Sequence, residues 1–148
     1  MPQAQHRSLV KPTLDTPFHI DFSWWQEHSH DWRIYVHRLL CPEHQAQFDP
    51  WSDQQQIDWV DPETAEVKPV DGMRYVLMTH CAQQPGFLEA RLPLVDAIFR
   101  VLIARGNKPM TPVELAEHLQ RPAQAQTILR LLTSRRSYLG IRPAEPRG

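Results

Sequence analysis

Thr111-Pro112-Val113-Glu114-Leu115-Ala116-Glu117-His118-Leu119, followed after Gln120-Arg121-Pro122 by Thr127-Ile128-Leu129-Arg130-Leu131-Leu132, is the stretch that decides the fold. Thr111 is a preferred helix N-cap, and Pro112 suits the first helical position, where its missing N–H would be unpaired in any case. Glu114 completes a capping box. Val113, Leu115, Ala116 and Leu119 then supply one apolar face of a short helix. After Pro122 a further helix is expected to run to about Ser134, burying Ala125, Ile128, Leu129 and Leu132. Upstream, Pro93 is well placed at a first helical position, and Leu94, Val95, Ile98, Phe99, Leu102 and Ile103 form an apolar face that Gly106-Asn107 stops. Tyr138 to Pro143 reads as a strand or extended tail.

Charge divides along the same line. The chain has 148 residues and a formal net charge of −1. Residues 1–90 carry 6 Lys+Arg against 13 Asp+Glu, net −7, and residues 91–148 carry 10 against 4, net +6. A basic C-terminal part beside an acidic N-terminal one points to polyanion contact, or to docking between opposite charges.

The Glu114-Leu115-Ala116 pattern with Leu119 three residues on, a turn, and Thr127-Ile128-x-Arg130-x-Leu132 on the next helix resembles the winged helix-turn-helix superfamily, over about Leu92 to Pro143. The resemblance implies a three-helix core whose third helix faces outward, often into a DNA major groove. That face would present Gln124, Gln126, Thr127 and Arg130. Gln pairs bidentately with adenine and Arg with guanine, and Arg135 and Arg136 at the helix end can neutralise phosphates. The sequence departs from the pattern in two places. Arg121-Pro122 replaces the usual Ser or Thr cap of the third helix, and eleven residues after Ser137 are too few for a long two-stranded wing. Winged helices also dock on proteins, so an interaction subunit or adaptor, or a homodimer, is the competing expectation.

The N-terminal part reads differently. Residues 1–17 hold Pro2, Pro12 and Pro17 without periodicity and are expected to be a mobile arm. From Ser23, a candidate N-cap, one helix is expected, in which Trp24, Trp25, Trp32, Tyr35, Val36, Leu39 and Leu40 recur at three- to four-residue steps until Pro42 ends it, with the tryptophans as core anchors. Two β-prone runs flank Asp61-Pro62-Glu63-Thr64, predicting a hairpin within residues 57–70. Asp71 then caps a helix from about Gly72 to Gln84, with a strand over Arg74 to Thr79 as the alternative.

Cys41-Pro42-Glu43-His44 and His80-Cys81 together offer a Cys2His2 set suited to a tetrahedral zinc ion. Neighbouring residues on a helix diverge by about 100°, so His80 and Cys81 converge only where the helix frays. His37, one helical turn before Cys41, is the substitute for His80. With all four positions filled, such a zinc would be structural and not catalytic, and it would reinforce a small core. A Cys41–Cys81 disulfide would serve the same purpose but is disfavoured in a reducing compartment.

No catalytic residues are assigned. His28-Ser29-His30-Asp31 comes without a phosphate loop or nucleophile elbow, and Asp58, Asp61, Glu63 and Glu66 around the Asp-Pro turn read more simply as a polar loop than as a cation site. The longest apolar runs are four residues, as at Tyr75 to Met78, far short of the roughly twenty a membrane helix needs. The opening residues lack a secretory segment. The sequence therefore predicts a mainly α, cytoplasmic, non-enzymatic protein without membrane contact. It comprises the arm (1–17), an acidic Cys/His-containing module with a short β-hairpin and a structural zinc site (18–90), and a basic winged-helix-like module (91–148) that binds DNA in transcription regulation.

Overall fold

The computed structural model describes residues 11–28, 31–50, 55–134 and 138–144. The fold is mixed and mostly helical, with two small antiparallel sheets. Strand β1 (Phe18–Ile20) leads into helices α1 (Phe22–Glu27), α2 (Trp32–Leu39) and α3 (Pro42–Gln47). The hairpin of β2 (Gln56–Val60) and β3 (Val67–Asp71) follows, then α4 (Gly72–Thr79) and a 3₁₀ turn, Cys81–Gln83. The last third contains α5 (Leu94–Ala104), α6 (Pro112–His118), a 3₁₀ turn at Pro122–Gln124, α7 (Ala125–Leu132) and β4 (Ile141–Pro143).

The apolar run from Trp24 to Leu40 forms two helices. Asp21, not Ser23, caps α1 by accepting from the Ser23 backbone N–H, and Asp31 restarts the chain by accepting from Arg33 N–H. A carboxylate at each N-cap satisfies an orphan amide, so two short helices meet where the spacing suggested one. Pro42 ends the second of them and also occupies the first turn of α3. The predicted hairpin is present: Ile57 lies opposite Val70 and Trp59 opposite Lys68, and Asp61 N–H donates to the Glu66 carbonyl across the turn.

At residues 72–79 the chain is helical, capped as expected by Asp71, and it stops at Thr79, earlier than Gln84. Helix α5 starts one residue after Pro93 and is buried on both sides through Ala97, Ile98, Phe99, Val101, Leu102 and Ile103. It packs against α4 and β1 on the N-terminal side and against α6 on the other, so one continuous core runs from Phe18 to Ile141. Trp25 and Tyr35 both meet Phe99 edge-on, at 6.1 and 4.9 Å between ring centroids. The Tyr35 hydroxyl donates to Asp96, and burial together with that carboxylate holds its phenol well above the ordinary range.

The capping box is formed: Thr111 Oγ1 accepts from Glu114 N–H at 3.1 Å, and Glu114 Oε1 accepts from Thr111 N–H at 2.8 Å. Thr111→Ala is expected to lower stability by about 1 kcal/mol, a thermal midpoint shift of roughly 2–4 °C. Thr111→Ser should retain most of the wild-type midpoint in the same melting experiment.

The two ends of the fold close on each other. β1 has β4 along one edge, with Ile20 opposite Ile141, and Met110 on the other edge through two hydrogen bonds with Phe18. Asn107, at φ +60°, completes the seam with its side chain: Oδ1 accepts from Ile20 N–H at 2.8 Å, and Nδ2 donates to the Ile20 carbonyl at 2.9 Å. Gly140 sits at φ +72° where an added Cβ would lie 3.0 Å from the Asp21 carbonyl and 3.0 Å from the Trp25 indole nitrogen, so only glycine fits there.

Candidate metal centre and helix-turn-helix face

Cys41 is the N-cap of α3, in extended backbone conformation, and Pro42 directs the chain into the helix behind it. His44 stands three residues on, which places both side chains on one face of the first turn. Their Sγ and Nδ1 atoms lie 3.2 Å apart. The other two residues arrive from the end of α4. His80 terminates that helix with φ −133° and ψ −61°, and the chain tightens into the 3₁₀ turn beginning at Cys81. This break in helical geometry lets two adjacent residues, which a continuing helix would splay apart, point to one place.

The four ligand atoms all lie within 4.8 Å of one another. Cys41 Sγ is 3.6 Å from His80 Nδ1, and Cys81 Sγ is 3.5 Å from both Cys41 Sγ and His44 Nδ1. A tetrahedral ion with bonds of about 2.3 Å to sulfur and about 2.05 Å to nitrogen needs sulfur–sulfur and sulfur–nitrogen edges of about 3.8 and 3.5 Å. The sulfur–sulfur edge and three of the sulfur–nitrogen edges lie within about 0.4 Å of those values. Two soft sulfurs and two imidazole nitrogens are also a donor set that suits zinc. Cys41, His44, His80 and Cys81 can therefore bind a metal ion such as zinc. Both cysteines are free thiols, and burial pushes the Cys81 thiol up to about 11. A bound cation would favour its thiolate instead.

His37 is not in the cluster. Its Nε2 lies 3.0 Å from the Gln45 carbonyl and 2.9 Å from the Phe48 carbonyl, and two acceptors require that nitrogen to carry the hydrogen. His37 thus ties the C-terminal end of α3 back to α2. Gln45 does the same from the other side, its side-chain amide donating to the Leu40 and Arg38 carbonyls. The cysteine and histidine of α3 are held in place by these contacts, a supporting role for His37 that its spacing from Cys41 does not reveal.

On α7, Ile128 and Leu132 are buried, while Gln126, Thr127 and Arg130 are exposed and Gln124 is half-buried. The α6–α7 turn contains Gln120 at φ +58°, with Arg121 N–H donating to the Ala116 carbonyl. Arg121 reaches back through Nη2 to the Ala90 carbonyl, 2.9 Å away, and does not join the α7 face. Arg135 and Arg136 lie outside the described residues, as does His30 of the His28 to Asp31 group.

Two polar assemblies went unseen in the sequence. The first is the buried ion pair of Arg33 Nη1 with Asp71 Oδ2, in which Arg33 Nε also donates to the Pro50 carbonyl. The second surrounds the hairpin turn, where Asp61, 1% exposed, accepts from Glu63 N–H and pairs with Lys108 at 3.3 Å. Lys108 also pairs with Glu63, which meets Arg105 at 3.1 Å. These hydrogen bonds and cations hold the Asp61 and Glu63 carboxyls below their ordinary range. The acidic turn is therefore internally neutralised, in keeping with a polar loop, and Asp58 and Glu66 stay exposed beside it. Among the described residues no helix is long and apolar enough to cross a membrane.

No family model, no curated protein and no solved structure matches this chain.

Proposed function

We propose that the protein is a DNA-binding, transcription-regulator-like protein in which a structural zinc ion at Cys41, His44, His80 and Cys81 braces a winged-helix-like reader. The observation that carries the DNA reading is the outward face of α7: Gln126, Thr127 and Arg130 stand exposed on the second helix of a capped helix–turn–helix pair. These side chains have the length and donor–acceptor pattern to read base edges. The short C-terminal segment is offset by β1, which supplies the small sheet with a strand that the tail alone is too short to provide. Four protein ligands leave no coordination position open, so the zinc would stabilise and not catalyse.

Fluorescence anisotropy against a randomised duplex pool, followed by titration of the selected sequence, tests the reading. Arg130→Ala should weaken binding about 5- to 100-fold and relax preference at one position. Affinity that is absent, or equal for all duplexes and abolished by moderate salt, would show that α7 does not read sequence. The second reading, a protein-interaction subunit, is favoured by one observation: Glu114 and Glu117 are exposed on α6, placing negative charge beside the basic helix. A partner that co-purifies and is lost on Arg135→Glu, without any duplex affinity, would select that reading.

A further inference from the structure

The two sulfurs of the candidate metal centre are adjacent, 3.5 Å apart, and Cys41 is only half-buried whereas Cys81 is enclosed. A disulfide requires about 2.05 Å, so the sulfurs need to approach by roughly 1.5 Å. Both residues stand at the start of a short element. Cys41 caps a six-residue helix without any side-chain capping bond, and Cys81 opens a three-residue 3₁₀ turn. Helices this short are held by their packing more than by their own hydrogen bonds.

We propose that Cys41 and Cys81 are a peroxide-responsive thiol–disulfide switch: oxidation joins the two sulfurs, withdraws both thiolates from the metal ion and leaves His44 and His80 unable to retain it. The inference rests on the metal-binding reading given above. The oxidant is hydrogen peroxide or a related hydroperoxide. The more accessible Cys41 thiolate attacks one peroxide oxygen, the O–O bond breaks, and the departing hydroxide takes a proton to become water. The oxygen retained on Cys41 makes a sulfenic acid. The Cys81 thiolate then attacks that sulfur, the S–S bond forms, and the second oxygen leaves as hydroxide and is protonated. In sum two thiolates, one peroxide and two protons give one disulfide and two waters, with two electrons passing from sulfur to oxygen. The divalent ion goes to solvent.

The proximity of Cys81 is what makes the chemistry reversible. A sulfenic acid with a second thiol within contact distance condenses before further oxidation to the sulfinic state, which is not readily reduced. The histidines do not take part in the redox step and stay in position, so reduction in the presence of zinc rebuilds the same four-ligand set.

The test uses the whole chain, purified reduced, without a histidine tag, and loaded with zinc. The sequence has two cysteines, so the thiol count is unambiguous. On treatment with hydrogen peroxide, a chromophoric zinc chelator should report loss of the bound zinc in step with loss of both thiols. The intact mass should fall by two hydrogens, and dithiothreitol plus zinc should restore the starting state. Zinc retained while the thiols are lost, thiols that resist peroxide, or a mass gain from added oxygen would each overturn the switch and leave the metal reading standing. A reduced protein that takes up no zinc overturns both.

Discussion

Asp71→Ala is expected to cost about 3–5 kcal/mol, seen as a fall of roughly 6–20 °C in the thermal midpoint. Arg33 and Asp71 are each 8% exposed and form an ion pair across the junction of α2 with the β3–α4 corner. Removing the carboxylate takes away the counter-charge that Asp71 sets against the Nη1 atom of a buried guanidinium, and breaking a buried pair by deleting one partner is far more costly than the pair is favourable. Asp71 has a second role, since its Oδ1 accepts from Met73 N–H and caps α4 at 2.9 Å. Asp71→Asn separates the two, because it keeps the cap and the volume but removes the charge, and most of the destabilisation should persist in it. The double substitution Arg33→Met with Asp71→Leu removes both charges and is expected to recover a large part of what either single change loses. An Asp71→Ala midpoint within 2 °C of wild type would mean that the pair is compensated by other groups.

Metal removal is the other change expected to have a large effect. A ligand present at a thousandfold above its dissociation constant stabilises the folded state by about 4 kcal/mol, which for a chain of this size corresponds to roughly 8–16 °C. Stripping zinc from the proposed site with a strong chelator should lower the midpoint by that amount, and adding zinc back should restore it. Cys81→Ser should bring the midpoint down to near the chelated value and make it insensitive to chelator. Equal melting curves for a zinc-containing and a zinc-stripped sample would show that the ion is not part of what holds the fold. The metal cluster and the Arg33–Asp71 pair sit at opposite ends of α4, with Asp71 before Gly72 and His80–Cys81 after Thr79. Losses at the two ends act on one eight-residue helix and are therefore expected not to add independently.

Much of this was legible from local chemistry. The Thr111–Glu114 capping box, the hairpin around Asp61-Pro62 and the Asp71 cap are each written within a few residues, and the structure forms all three. The Cys2His2 set was legible from residue type alone, and the condition that α4 must break at His80 is met by the conformation of His80 itself. What escaped was non-local. Arg33 is a charged residue at the edge of an apolar helix face, three positions before Val36 and seven before Leu40, and its burial depends on a carboxylate 38 residues away. His37 has the spacing of a ligand, yet the two carbonyls at the end of α3 claim its ring nitrogen. The break between α1 and α2 was hidden because Trp24 and Trp25 before it and Trp32, Val36 and Leu39 after it preserve one apolar rhythm. The pairing of β1 with β4 leaves no mark in three-residue segments, since nothing in Phe18-His19-Ile20 names its partner.

That pairing sets an order of events during synthesis. The Arg142–Asp21 ion pair spans 121 residues, and the Trp25 indole donates to Leu139 across 114. A ribosome adding about 5–20 residues per second delivers Ile141 on the order of ten seconds after Ile20. Until then β1 has Met110 and Asn107 on one edge, and its other edge lacks the strand that closes it. Nascent chains stalled before residue 140 should accordingly be protease-sensitive throughout and bind holdase chaperones, with resistance gained in one late step.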